Sequence, residues 1–257
     1  RPDRERGRTI RRERRQIKDT MLVIPAMHIR SGCCTHTAVG EPGTEGLYPV
    51  TPVEVARLWR GENAKALHVV CLDFEGGADG VQAAQLRELV HAVDIAVQLG
   101  GVFRTEQDVR VALEDIAVYR VVLDTAVFPA GGPLESLLQR FGPRRIVVGM
   151  EVEGDVIMHP ESSNNREDSL RHALDLAGLG VQRILLSVRG RKENPQGPPL
   201  EFLRRLTETT NLSITLNGSV RHYRDLKLLQ QLSPRKIDSV VLDEVLYANV
   251  FPCQRIW

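Results

Sequence analysis

The chain has 257 residues, a net charge of +1, and 42% hydrophobic and 26% charged residues, the composition of an ordinary globular domain at the length of one (β/α)8 barrel. No apolar run approaches the ~20 residues that cross a bilayer as a helix, which argues against a membrane-spanning role. The four cysteines (Cys33, Cys34, Cys71, Cys253) form no CxxC pair, which argues against a zinc finger or disulfide framework and for a reducing compartment, cytoplasmic or organelle interior.

Residues 1–20 carry nine Lys or Arg against four acids, leaving the remainder at −4. They are read as a basic N-terminal extension ahead of a domain spanning 21–257. From Met21 onward, short apolar β-branched runs recur: 21–27, 67–72, 95–99, 120–123, 145–150, 183–188, 212–216 and 239–242. Continuous apolar runs of this length suit buried parallel strands. Between them lie helical patterns at 53–59, 81–93, 106–114, 133–141, 169–178, 199–210 and 223–232, the first opening after Thr51-Pro52, a capping residue followed by Pro in the first turn. Eight strands alternating with helices predict an α/β chain closed into a single (β/α)8 TIM barrel.

The two halves repeat each other. RVVLDTAVF at 120–128 matches SVVLDEVLY at 239–247, and LGGVFR at 99–104 matches LNGSVR at 216–221. Asp108 and Asp225 follow at the same offset in the next helix. A half-barrel duplication is the simplest reading.

The segments LVIPA, TPVEVARLW, LHVVCLD, DIAVQLGG and FGPRRIVVGM occur in order, and with them the chain resembles the histidine-biosynthesis isomerase family over residues 21 to about 250. The resemblance implies an intramolecular Amadori rearrangement, aminoaldose to aminoketose, on a substrate with two phosphates and without a cofactor. It places the catalytic carboxylates at the ends of the first and fifth strands, where the family reads IPAIDL and VVGLDA. Here those positions are His28 and Glu151. It also places phosphate grips at the third and fourth strands and again at the seventh and eighth, built from backbone amides of glycine-rich turns. The matching residues are Gly100, Gly101, Asp124 and Thr125 in the first grip, and Asn217, Gly218, Ser219, Asp243 and Glu244 in the second. Asp124 and Asp243 stand where the family has the glycine that admits a phosphate. Unit charges ~4 Å apart repel by about 4 kcal/mol at an effective dielectric near 20, unless each Asp instead caps the helix that follows. In the sixth loop, Arg189, Arg191 and Lys192 replace the family's acids and Thr, Cys71 stands where Asp is common, and His36 where Arg is typical.

From these substitutions the expectation is a barrel that has lost the isomerase activity and serves as a scaffold, assembly or regulatory protein. Its candidate partner surfaces are the arm 1–20 and the apolar tail 250–257, and a phosphate ligand is disfavoured. The alternatives are an active isomerase with substituted groups, or changed chemistry at the same mouth using His28, Glu151, Asp124, Asp243, Cys71 and Asp73. Neither metal binding nor nucleic-acid binding is expected: no HExxH-type spacing occurs, and the arm has no aromatics to stack on bases. A hydrogen bond between His28 and Glu151 across the mouth is the structural reading of that pair. Cys33, Cys34 and His36 read as an ordinary loop rather than a thiol–imidazole nucleophile.

Overall fold

The computed structural model describes residues 21–37, 45–47, 50–74, 77, 80–101, 103–125, 127–128, 132–153, 156–157, 169–188, 197–232 and 236–247. The arm 1–20, the tail 250–257 and the loop residues Arg189, Arg191 and Lys192 lie outside them.

The strands are β1 (Leu22–Arg30), β2 (Cys33–Thr37), β3 (Glu45–Leu47), β4 (Ala66–Cys71), β5 (Ala96–Gly101), β6 (Arg120–Asp124), β7 (Ile146–Glu153), β8 (Val156–Ile157), β9 (Arg183–Val188), β10 (Ser213–Asn217) and β11 (Ile237–Leu242). The helices are α1 (Pro52–Gly61), α2 (Val81–Ala92), α3 (Glu106–Arg110), α4 (Pro133–Phe141), α5 (Ser169–Gly178), α6 (Leu200–Thr209), α7 (Tyr223–Leu232) and α8 (Glu244–Tyr247). All eight expected strands form, pairing in the order β1-β4-β5-β6-β7-β9-β10-β11. The last of them returns to the first in parallel register, Leu22 beside Ser239 through Pro25 beside Leu242. The sheet is a closed barrel.

Three features depart from the sequence pattern. The loop after β1 is partly sheet, with β2 and β3 extending the edge of β1 as an antiparallel ribbon. Two-residue β8 pairs with the end of β7. The helix expected over 106–114 changes winding after Arg110 into a π-helical turn, Val111–Asp115, with Ile116 N–H donating back to Val111 O. The wider turn ends at Ala117, whose φ is +62°.

Alternation along the strands separates two cores. Outward-facing Val23, Leu67, Val97, Val121, Ile146, Ile184, Ile214 and Val240 pack against the helices in one large apolar layer. Ile24, Ala26, Ala66, Val122, Val147, Leu185 and Val241 fill the inside of the barrel. At the floor of the barrel the filling is polar. Arg183 grips Asp238 through both terminal nitrogens, at 2.6 and 2.5 Å, and reaches Thr215 Oγ1 at 3.0 Å. Arg120, also drawn into this floor, has its guanidinium pushed down to about 10, first by burial and then by the charge of Arg183.

The half-barrel repeat survives as matched geometry. After β5, Gly101 has a φ of +137° and Phe103 N–H turns back to its carbonyl at 3.0 Å; after β10, Gly218 has a φ of +74° and Val220 N–H does the same at 2.8 Å. Asp108 Oδ2 then accepts from the amides of Arg104 and Thr105 at 2.8 and 2.9 Å. Asp225 Oδ2 accepts from Arg221 and His222, both at 2.9 Å. Each Asp thus satisfies amides that no helical carbonyl reaches. At position 101 a side chain is excluded outright, since a Cβ there would lie 2.0 Å from the carbonyl oxygen of Cys71.

Losing either cap should therefore cost a similar amount: Asp108→Ala and Asp225→Ala are each expected to lower stability by about 1–2 kcal/mol. Gly101→Ala is expected to cost more than either. Urea denaturation midpoints of the three variants check the ranking.

Candidate functional site

Inside the barrel the residue parity is set by the buried filling, and two residues beyond it along each strand lies the mouth. Ile24 and Ala26 lead to His28, Val122 to Asp124, Val147 to Glu151 two pleats on, Leu185 to Ser187, and Val241 to Asp243. His28 and Glu151 therefore both project from the C-terminal ends of barrel strands, the face where barrels of this kind place their chemistry. Glu151 is half-buried and lies in register with Ser187. Asn217 donates through Nδ2 to Ser187 Oγ at 3.0 Å, tying β10 to β9 at the same level.

His28 and Asp243 are brought together: Nδ1 lies 3.2 Å from Oδ2, with each side chain 28% exposed. Sequence reading expects Glu151 as the hydrogen-bond partner of this imidazole, and a helix-capping role for Asp243, which does stand directly before α8 with the amide of Leu246 returning to its carbonyl. In the structure the group facing Nδ1 of His28 is Asp243. The reason is register: β11 is the immediate parallel neighbour of β1, whereas β7 lies across the barrel. Asp124, at the corresponding place in the first half, is exposed at the end of β6, and its carbonyl accepts from Val127 and Phe128. Thr125 is buried beside it. Gly100 lies over His68, 3.1 Å from Cε1 to where a Cβ would stand. Ser219 follows Gly218 with a φ of +58°. Glu244 opens α8, and its side chain lies outside the described residues.

Besides the charged floor, a titratable group beneath the mouth lies outside the sequence-predicted site. His68, on β4 and pointing inward, is 3% exposed, and its Nδ1 accepts from Gln98 Nε2 at 2.9 Å. Burial, with smaller contributions from the positive charges of His28 and Arg120, pushes its imidazole down to about 3. His68 is thus a neutral ring beneath the mouth. The signal was present in the sequence: His68 and Gln98 are polar residues inside apolar runs, and their strands pair in register, His68 beside Gln98.

The remaining candidates are structural. Asp73 accepts at Oδ2 from the amide of Ser31 at 2.6 Å, tying the turn after β4 to the turn after β1. Cys71 Sγ lies 3.7 Å from Asp73 Oδ1, and burial pushes the thiol up to about 12. Cys34 is pushed up to about 11, first by burial and then by neighbouring Cys33. Buried thiols held in the protonated form make poor nucleophiles. Cys33, Cys34 and Cys71 are free thiols on or beside this face, and the side chain of His36 lies outside the described residues. Among the described residues, no three His, Cys, Asp or Glu side chains converge to hold a metal ion, and no helix is long and apolar enough to cross a membrane.

Comparison with known proteins adds an independent line. A family model described as histidine biosynthesis protein matches residues 22–252. A protein of Salinibacter ruber is 35% identical over 92% of this chain and 92% of its own length. A protein of Prosthecochloris aestuarii is 37% identical over 92% and 91%, and one of Chlorobium phaeobacteroides strain BS1 is 36% identical over 92% and 91%. Each is named an imidazole-4-carboxamide isomerase, with two phosphoribosyl groups in the name of its substrate.

These relatives overturn the expectation that the barrel has lost the isomerase activity. Nearly full-length relatives carry the isomerase name, and none is set apart as inactive. That expectation takes Asp243 as an isolated carboxylate facing an anion. The structure puts Asp243 beside His28, with Oδ2 3.2 Å from Nδ1, so the carboxylate has a hydrogen-bonding neighbour at the mouth.

Because the unfolded chain protonates His68 near the ordinary imidazole value while the folded chain keeps it neutral down to about pH 3, the unfolded state binds more protons and stability falls as pH drops below about 6.5. This group alone should contribute about 1.4 kcal/mol of loss per pH unit between 6.5 and 4. Urea titrations of the wild type and of His68→Gln over that range should show the shallower slope in the variant.

Proposed function

Given that this chain belongs to the histidine biosynthesis protein family, we propose that it is an intramolecular isomerase of the aldose–ketose type. It acts at the barrel mouth on a phosphoribosyl imidazole-carboxamide substrate of the kind named for its relatives. The observation that carries the reading is the placement of His28 and Glu151. Two groups able to exchange protons project inward from the ends of β1 and β7, at the positions where the resemblance puts the family's acid–base pair.

The chemistry asks little more than two such groups. Opening the ribose ring of an aminoaldose needs a proton delivered to the ring oxygen. Moving the carbonyl to C2 then needs the C2 proton removed and a proton returned at C1. Atoms and electrons balance within the substrate, so no cofactor is called for. An imidazole serves either role near neutral pH, and a carboxylate half-buried at the mouth serves the other. Glu151 carries one methylene more than the Asp of the family pattern.

The geometric demand is that both groups stay in place, and the surrounding contacts serve that end. β1 is held on one side by β4 and on the other by β11, while the end of β7 is paired with both β8 and β9. Functional groups set on strand ends of a closed barrel have little freedom to drift.

Incubating the purified chain with the bisphosphorylated aminoaldose and following the ketose product by chromatography tests the reading directly. Turnover is expected, with kcat reduced about 10²–10⁴-fold in His28→Asn and in Glu151→Gln. Absence of turnover by the folded wild-type chain would refute it.

A further inference from the structure

We propose that Asp243 is a positioning residue for His28: its carboxylate holds the imidazole as the Nδ1–H tautomer, which leaves Nε2 as the nitrogen that exchanges protons with a substrate in the mouth. The proposal rests on the isomerase reading above and deepens it.

The geometry begins with the contact itself. Oδ2 of Asp243 lies 3.2 Å from Nδ1 of His28. An ionised carboxylate can only accept, so the nitrogen facing it must carry the hydrogen. The neutral ring then has its lone pair on Nε2. A free imidazole in water prefers the opposite tautomer, so the carboxylate makes a choice the ring would not make alone.

The pair is also fixed by its frame. Its members are 215 positions apart in the chain, but His28 lies on β1 and Asp243 directly follows β11, the parallel neighbour of β1 at the seam where the barrel closes. The segment carrying Asp243 is pinned onto β1 just below His28. Tyr247 donates its hydroxyl to the carbonyl of Ala26 at 3.1 Å. The amide of Leu246 closes a turn on the carbonyl of Asp243 at 2.9 Å. The ring of Tyr247 stands edge-on to Trp59, with centroids 5.5 Å apart, and Trp59 is 5% exposed in the outer core. Asp243 is therefore aimed at β1 by contacts on both sides of the turn. Below the seam, His68 bonds to Gln98 and offers no competing carboxylate. The duplicated position in the first half, Asp124, ends β6, whose neighbours are β5 and β7, and neither presents a histidine at that level. Only one of the two matched Asp residues has an imidazole on the adjoining strand.

The test reads the tautomer without requiring turnover. Two-bond proton–nitrogen correlation spectra of the full-length, nitrogen-15-labelled chain at alkaline pH, with His28 assigned by loss of its signals in His28→Gln, should show a protonated Nδ1 and a bare Nε2. In Asp243→Asn, nearly isosteric but able to donate as well as accept, the Nε2–H form should become populated. The same variant should lose about 10–100-fold in kcat with KM changed far less, the pattern of an acid–base group held in the wrong tautomer. Asp243→Ala, examined in the same spectra, covers the case in which the Asn variant fails to fold. A wild-type His28 in the Nε2–H form, or a tautomer unmoved in both variants, overturns the proposal even if the chain turns substrate over. An Nδ1–H imidazole in a chain without turnover would instead count against the isomerase reading and leave the positioning role standing.

Discussion

The parallel pairing of β11 with β1 is the contact on which the rest of the molecule depends. An open eight-stranded sheet with this twist would leave two unpaired edges and an inner face with nothing to pack on. Closing it satisfies both edges and lets seven apolar side chains fill the tube. It also sets the level of the mouth, because the register between the first and last strands determines which inward side chains stand side by side at the rim. A slip of one residue would turn His28 or Asp243 from the inner to the outer face.

The inside of the tube is graded from floor to rim, and the gradient has electrostatic consequences. At the floor, guanidinium and carboxylate meet in a two-pronged pair, Arg183 with Asp238, supported by hydroxyls. The pair is partly exposed, with side chains 20% and 36% exposed, and its donors and acceptors are matched. Midway, the His68–Gln98 contact satisfies one side of an imidazole that burial keeps neutral. At the rim, the groups are partly exposed and ionisable.

The substitutions that first suggest a silent barrel are better understood together than singly. A histidine in place of a family aspartate removes one carboxylate from the mouth, and Asp243 returns one nearby, just past the end of the neighbouring strand. Viewed position by position, one change removes an acid–base group and the other obstructs an anion. Viewed as a pair, they are an imidazole with a carboxylate behind it, a combination able to move protons.

The strands, their parallel order and the half-barrel repeat were legible in the sequence, because each depends on local patterns: continuous apolar runs, helical periodicity between them, and the recurrence of an Asp three residues into a helix at Asp108 and Asp225. The placement of His28 and Glu151 at the rim was legible for the same reason, since both end predicted strands. The pairing of His28 with Asp243, the neutral His68 under the rim, the ribbon formed by β2 and β3 and the π turn after Arg110 were not. Each depends on which strand lies beside which, on how far a buried ring is from water, or on a helix end adapting to its neighbours. Such distances arise only when residues far apart in the chain are packed together, and no local pattern encodes them.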